Sequence, residues 1–284
     1  MATTDSTTRP RRHRGAKITA LVVAISLVVV GLAVYFGQRA LIYFPDRTNP
    51  GPVGRYIPNG EDVQFTTEDG LTLSTWLVTP AVDRGAAVLF LPGNAGNRAG
   101  RLGAATALAD LGFTVLLLEY RGYGGNPGTP SQTGLARDAR AAVAYLHQLG
   151  FAADRLLYVG ESLGTGVATQ LARTDPPAGI VLRSPFTSLV AVGQALMPML
   201  PVSLILRDRY DTLANLPYLP MPITVLSGSA DTTVPPAQSA AVAAAAVNLF
   251  SYIEVPGVDH NDPLWQSPYL ADPVNALAES VLTP

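Results

Sequence analysis

Apolar residues follow two different rhythms along this chain. Between positions 18 and 36 the segment ITALVVAISLVVVGLAVYF runs for 19 residues without a charge. As a helix rising 1.5 Å per residue it would span roughly 28 Å, the thickness of a bilayer's hydrocarbon core. Further on the rhythm changes. VQFT at 63–66 and LTLSTWLV at 71–78 alternate apolar and polar positions on either side of EDG at 68–70, which predicts a β-hairpin. From residue 86 the alternation gives way to continuous apolar runs at 86–91, 113–118, 156–159, 179–182, 223–226 and 250–255. Strands buried on both faces read this way, as they do in parallel sheets. Helical candidates fill the intervals at 97–111, 133–149, 163–173, 235–247 and 263–282. Strand and helix in alternation predict an α/β fold: a mostly parallel, doubly wound sheet of about eight strands, led by the antiparallel hairpin.

Composition changes the picture mainly at the N-terminus. Net charge is −2, yet residues 1–39 carry Arg9, Arg11, Arg12, Arg14, Lys17 and Arg39 against Asp5 alone. Residues 1–17, polar, basic and without apolar period, are expected to be a disordered tail. A basic cluster ahead of an apolar span places the N-terminus in the cytoplasm and the rest of the chain across the membrane. A cleaved signal peptide is the competing reading. Its best small-residue pair, Gly31 and Ala33, falls inside the apolar run, which favours an uncleaved anchor over 18–36. Residues 37–60 read as a connector, since Pro45, Pro50, Pro52 and Pro58 exclude regular structure; its apolar stretch LIYF at 41–44 is expected to lie on the domain at 61–284. The acidic balance of that domain offers no basic face for nucleic acid. The absence of Cys removes disulfides, thiolate nucleophiles and thiolate metal sites. No cofactor is called for, and nothing bears on oligomeric state.

In open α/β sheets, ligands bind outside the carboxyl ends of the strands. After the first apolar run comes LPGNAGN at 91–97, whose backbone N–H groups could face a developing oxyanion or form an ordinary turn. After the second comes EYRGYGGNPG at 119–128, where Arg121 either binds a substrate anion or ties the loop to the domain. The third runs into GESLG at 160–164. This is G-x-S-x-G, in which a strand turns straight into a helix and projects its serine clear of the backbone. SGSADTTVP at 227–235 and PGVDHND at 256–262 follow the last two runs. The order Ser162, Asp231, His260 is the order α/β-hydrolases use. Of the other histidines, His13 lies in the basic tail and His147 late in a helix. Asp208, Asp211, Asp259 and Asp262 are the weaker candidates for the acid.

Together these segments resemble the single-anchor α/β-hydrolase-domain proteins, the group that includes membrane-tethered depalmitoylases. The resemblance rests on LIYFP at 41–45, GNAGN at 93–97, YRGYG at 120–124, GESLG at 160–164, SPFTS at 184–188, RYDT at 209–212, Asp231 with Val234 and Pro235, and His260. It implies Ser162 as nucleophile, Asp231 and His260 as its partners, and the N–H groups of Asn94 and Leu163 as oxyanion donors. One departure is visible: Pro92 stands where such proteins commonly carry His, leaving the Asn94 N–H untouched.

Residues 186–221 are rich in Leu and Met and broken by Pro198 and Pro201. They read either as a small apolar cap or as completion of the core. As a cap they would offer Phe186, Met197 and Leu200, with Tyr123 from the second loop, to a substrate acyl chain. The expectation is therefore a membrane-held serine hydrolase acting on small-molecule or lipid acyl esters or thioesters. A tethered binding protein without turnover and a peptidase using the same three residues remain open alternatives.

Overall fold

The structure, a computed structural model, describes residues 11–282. Eight strands form one sheet: β1 (Gly60–Thr66), β2 (Thr72–Val78), β3 (Ala87–Leu91), β4 (Thr114–Leu117), β5 (Leu156–Glu161), β6 (Gly179–Arg183), β7 (Ile223–Gly228) and β8 (Leu249–Val255). Their spatial order is β8-β7-β6-β5-β3-β4-β2-β1. The β1/β2 hairpin pairs antiparallel, with Val63 opposite Thr75, and β2 joins β4 antiparallel. Every later neighbour is parallel. Burial on both faces explains five of the six continuous apolar runs: every residue of β3, β4, β5, β6 and β7 is buried. The run at 250–255 is the exception, because β8 is the edge strand and buries only Val255.

Helices cover both faces. α2 (Leu102–Asp110) and α9 (Pro268–Val281) pack on one side, where Trp76, Phe90, Phe113 and Trp265 fill the core. α3 (Gln132–Gln148), α4 (Leu163–Leu171) and α8 (Pro236–Ala245) cover the other, over Leu89, Leu116, Tyr158 and Leu182. Two helices start later than periodicity predicts. Asn97 caps a 3-10 turn before α2. Ser267 followed by Pro268 starts α9 afresh, because a capping hydroxyl and a proline at the first position favour a new N-terminus over a continued helix. Between β6 and β7 the chain makes an excursion through the short helices α5 (Leu189–Leu196), α6 (Val202–Ile205) and α7 (Thr212–Asn215).

The N-terminal helix, α1 (Arg11–Gly37), begins ahead of the expected span. Residues 11–17, predicted as disordered tail, are helical because no proline separates them from the apolar run and extending a formed helix past Gly15 costs little. Positions 1–10 of that tail lie outside the described residues. Among the described residues one helix, over Gly15–Leu41, is long and apolar enough to cross a membrane, and its apolar 18-residue window is not buried against the protein; a signal sequence meets the same test of length and composition. Below it the connector docks on the sheet's carboxyl end. Ile42 and Tyr43 are buried, and Phe44–Pro45 pairs parallel with Ala95–Gly96 in a two-residue ladder.

Candidate active site

β5 runs into α4 with only Ser162 between them, and that residue is held at φ 51°, ψ −115°. A positive φ is uncommon for any residue with a Cβ and marks stored strain. Glycine is required on both sides by close approach. A Cβ on Gly160 would sit 2.8 Å from the Gly164 carbonyl oxygen, and one on Gly164 would collide with the Leu91 carbonyl. The backbone around the turn is pinned: Ser162 N–H donates to the Arg183 carbonyl at 2.9 Å, and Thr165 Oγ1 donates to the Ser162 carbonyl at 2.6 Å.

The loops after β7 and β8 bring two more side chains to this corner. His260 Nε2 lies 3.0 Å from Ser162 Oγ, and His260 Nδ1 lies 2.7 Å from Asp231 Oδ2. All three residues are buried, with exposures of 8, 5 and 5% for Ser162, Asp231 and His260. Burial works to raise the Asp231 carboxyl, but the hydrogen bond from His260 and the N–H of Val234 outweigh it and hold its pKa below the usual value. With Thr233 N–H also on Oδ1, the carboxylate is fixed as an acceptor and Nδ1 of the imidazole must carry the proton facing it. That tautomer leaves Nε2 free to accept from the serine hydroxyl.

Asn94 and Leu163 bracket the serine from the loop after β3 and from the first residue of α4. Asn94 is held on three sides: its carbonyl accepts from Phe44 N–H and from Tyr123 Oη, both at 2.8 Å, and its side-chain amide donates to the Ile42 carbonyl at 2.6 Å. Above the serine opens a cavity of about 350 Å³. Asn94, Ser162 and Leu163 form its floor; Phe186, Met197 and Leu200 stand among its walls, and among the described residues no charged side chain lines it. Tyr123, grouped with these from the sequence, is displaced from that role. It is 2% exposed and packs behind the loop, where its hydroxyl reaches the Asn94 carbonyl instead of the cavity. The connector supplies a wall that sequence did not suggest, through Gln38, Leu41, Ile42 and Phe44, with Val34 of α1 above them. Among the described residues no group of three or more His, Cys, Asp or Glu is placed to hold a metal ion.

A family model described as alpha/beta hydrolase fold matches residues 86–209. An uncharacterized protein of Mycobacterium tuberculosis is 43% identical over 255 residues, covering 89% of this chain and 90% of its own. The alpha/beta hydrolase domain-containing protein WAV2 of Arabidopsis thaliana is 30% identical over 263 residues, covering 83% and 85%. The chain belongs to the α/β-hydrolase family. The lysophosphatidylserine lipase ABHD12 of Mus musculus is 32% identical over 173 residues, 52% of this hydrolase and 42% of the lipase. The esterase Pf2001 of Pyrococcus furiosus shares the fold with a TM-score of 0.68 at 20% identity, covering 85% of this chain and 99% of the esterase. The family and these relatives support hydrolase activity for this chain.

This hydrolase also carries an ionic cluster under the serine that sequence reasoning missed. Glu161, the residue before Ser162, pairs with Arg101 at 2.7 Å and with Arg183 at 3.1 Å. Arg101 also donates to the carbonyl of Ala95, and Arg183 to the carbonyl of His260, each at 2.8 Å. One carboxylate thus ties together the loop after β3, the serine corner and the loop bearing His260. Burial alone would raise the Glu161 pKa; the two guanidinium groups reverse that and hold it at about 2. The only local signal was an acidic residue inside G-x-S-x-G. Elsewhere the plainer readings hold. Arg121 binds Asp69 and Asp138 and ties its loop to the domain, and His147 Nδ1 meets the Phe151 carbonyl at a helix end.

Proposed function

We propose that this protein is a serine hydrolase cleaving carboxylic ester or thioester bonds of hydrophobic acyl substrates, with Ser162, His260 and Asp231 as its catalytic residues. The observation that carries the reading is the buried hydrogen-bonded series from Asp231 through His260 to Ser162, ending at the floor of an uncharged cavity. Ser162 Oγ attacks the acyl carbon while His260 Nε2 takes its proton, and Asp231 stabilises the imidazolium that forms. The oxyanion is received by the N–H groups of Asn94 and Leu163, each such donor being worth roughly 3 kcal/mol. Collapse expels the alcohol or thiol with the proton from His260. Water then attacks the acyl-enzyme with His260 as base, releasing the acid and restoring the serine.

An apolar lining without charge favours an acyl chain over a peptide, whose backbone groups would go unpaired there. The name of the mouse relative, a lysophosphatidylserine lipase, points the same way towards a lipid acyl ester. We further read α1 as a single-pass anchor with its N-terminus cytoplasmic and the hydrolase domain on the far side, supported by its length and by the arginines that precede it.

Labelling wild type and Ser162→Ala with a fluorophosphonate probe tests the nucleophile; label on wild type alone is expected. Turnover of p-nitrophenyl esters of rising chain length, beside peptide amides, tests the substrate class, and preference for the longer esters is expected. Folded wild-type protein that takes no label would return the chain to the non-catalytic binding reading. Amides cleaved faster than esters would make it a peptidase.

A further inference from the structure

The wall of the cavity that faces away from the sheet is also the outside of the protein. Leu41, Leu196, Met197 and Leu200 line the cavity and are nevertheless 61, 68, 41 and 41% exposed. Just beyond them stand Met199 and Leu204, 93% and 83% exposed, neither touching the cavity. No charged residue occurs between Arg183 and Arg207. A soluble surface rarely leaves such a stretch bare, and an apolar patch rimmed by polar residues marks a contact surface.

Its position identifies what it contacts. The excursion is bolted to the foot of α1. Gln38 Nε2 donates to the Ile205 carbonyl at 3.1 Å, and the Arg207 N–H donates to Gln38 Oε1 at 2.7 Å. Arg39 pairs with buried Asp208 at 2.9 Å, and Tyr43 Oη bridges Asp208 and Tyr210. The Arg207 guanidinium lies 5.3 Å from the centre of the Tyr35 ring. Tyrosine and arginine together at the end of an apolar helix mark the headgroup level of a membrane. The uncharged part of the excursion, 184–206, is fixed beside that level, next to the apolar helix.

We infer that residues 196–204 are a lipid-contact surface: Met199 and Leu204 dip into the leaflet around α1, and the cavity mouth opens into lipid, so that an acyl chain reaches Ser162 without crossing water. The inference rests on the anchored acyl-hydrolase reading above and adds the route by which substrate arrives. Apolar side chains on an interfacial segment settle about 5–10 Å into the headgroup and acyl boundary. Entry from the leaflet also spares an acyl chain the unfavourable passage through solvent.

The natural absence of cysteine makes the test direct. Met199→Cys, Leu204→Cys and Val82→Cys, each in the full chain and labelled with a nitrobenzoxadiazole fluorophore, are reconstituted in phosphatidylcholine vesicles. Val82 is 81% exposed and stands ahead of β3, at the sheet's opposite end. Quenching by bilayer-borne doxyl lipid is expected to be at least about threefold stronger at 199 and 204 than at 82, given the depth such side chains reach. Equal quenching at all three positions, or labels at 199 and 204 open to aqueous iodide, would overturn the inference. So would disulfide cross-linking between the 199 positions of two copies, which would make this face a contact between proteins. A second arm compares wild type with the Met199→Glu, Leu204→Glu double variant. Turnover of a long-chain ester held in the bilayer is expected to fall about tenfold as the surface lifts off, while a soluble acetyl ester is unaffected. Equal loss on both esters would count against the route. The quenching arm needs no catalysis. If no ester is hydrolysed yet the quenching pattern holds, the catalytic reading fails and the lipid contact stands; an intact acetyl esterase without the pattern reverses that outcome.

Discussion

Below Ser162 the charged side chains are buried and paired, whereas above it the chain runs from Arg183 to Arg207 without any charge and stands half in the open. The floor is built of directional contacts. Glu161 is held by two arginines and Asp231 by two N–H groups and His260, while Asn94 is fixed through both its carbonyl and its side chain. The roof is built of Leu, Met and Val side chains on helices of four to eight residues, and within α5 and α6 only Val202 is buried. A reaction that passes one proton between fixed atoms tolerates little displacement, so its floor needs over-determined geometry. A site for acyl chains of varied shape needs apolar area and freedom to adjust, which flexible Met and Leu supply. The contrast predicts that a mutation in the floor changes chemistry and a mutation in the roof changes which substrate binds.

The largest effect should come from Asp231→Asn. The amide preserves shape but presents a donor where Nδ1–H needs an acceptor, favouring the tautomer with its proton on Nε2. Turnover of a soluble ester should fall on the order of 10⁴-fold. KM should stay within about twofold, because Asp231 does not line the cavity and uniform binding is untouched. A KM that rises in step with the loss would place Asp231 in substrate binding and break the contrast.

Glu161→Gln should come next, and stability should report it as well as activity. The substitution leaves the buried Arg183 and the largely covered Arg101 with part of their charge uncompensated, at a cost of about 3–5 kcal/mol. Denaturant unfolding of the detergent-solubilised full chain measures this. Acid should act on the same group. Its carboxyl is held at about 2 in the folded protein, below the ordinary 4.5. A depressed carboxyl stabilises the fold fully above its unfolded value and loses that contribution as pH falls through the folded one. Wild type should therefore weaken steeply between about pH 4.5 and 2, and Glu161→Gln should show a flatter profile across that range. Parallel profiles would mean the cluster is not coupled to folding.

That cluster also shows where the sequence stops being readable. The sheet was legible because burial on both faces writes itself as unbroken apolar runs, and the corner at Ser162 because close backbone approach demands glycine at fixed spacing. Asp231 and His260 were legible through their placement after strands that end on the same side. The partnership of Glu161 with Arg101 spans 60 residues and that of Arg39 with Asp208 spans 169. Neither has a period or a motif, and only the folded sheet brings the partners together. Tyr123 was misassigned for a related reason. A tyrosine in a Gly-rich loop can turn its hydroxyl towards the cavity or towards the backbone behind it, and local sequence carries no sign of which. The early start of α1 reflects a limit of composition: charge argues for solvation, but it does not stop a helix already formed.

Tyr123→Phe tests the third side of the floor. It removes one of two donors to the Asn94 carbonyl while Phe44 N–H remains. Such a hydrogen bond contributes about 0.5–1.5 kcal/mol, so kcat should fall a few-fold for short and long esters alike. A loss confined to long esters would restore Tyr123 to the substrate wall.

The smallest effect belongs to the roof, and it sharpens the comparison most because its size depends on the substrate. Leu200 lines the cavity yet is 41% exposed, so on the proposed acyl-ester reading its truncation to alanine would forfeit only the buried part of a contact with an acyl chain. At about 25 cal/mol per Å² of apolar surface, some 30 Å² of lost contact corresponds to roughly a threefold rise in KM. That rise should appear for esters long enough to reach the excursion and vanish for acetyl esters, with kcat unchanged for both, since nothing in the floor touches Leu200 through a directional bond. Folding should be nearly indifferent, as little of this side chain's environment is closed. An equal loss on acetyl and long-chain esters would show that roof and floor move together, and the division of labour between an ion-locked base and an adaptable apolar cover would have to be given up.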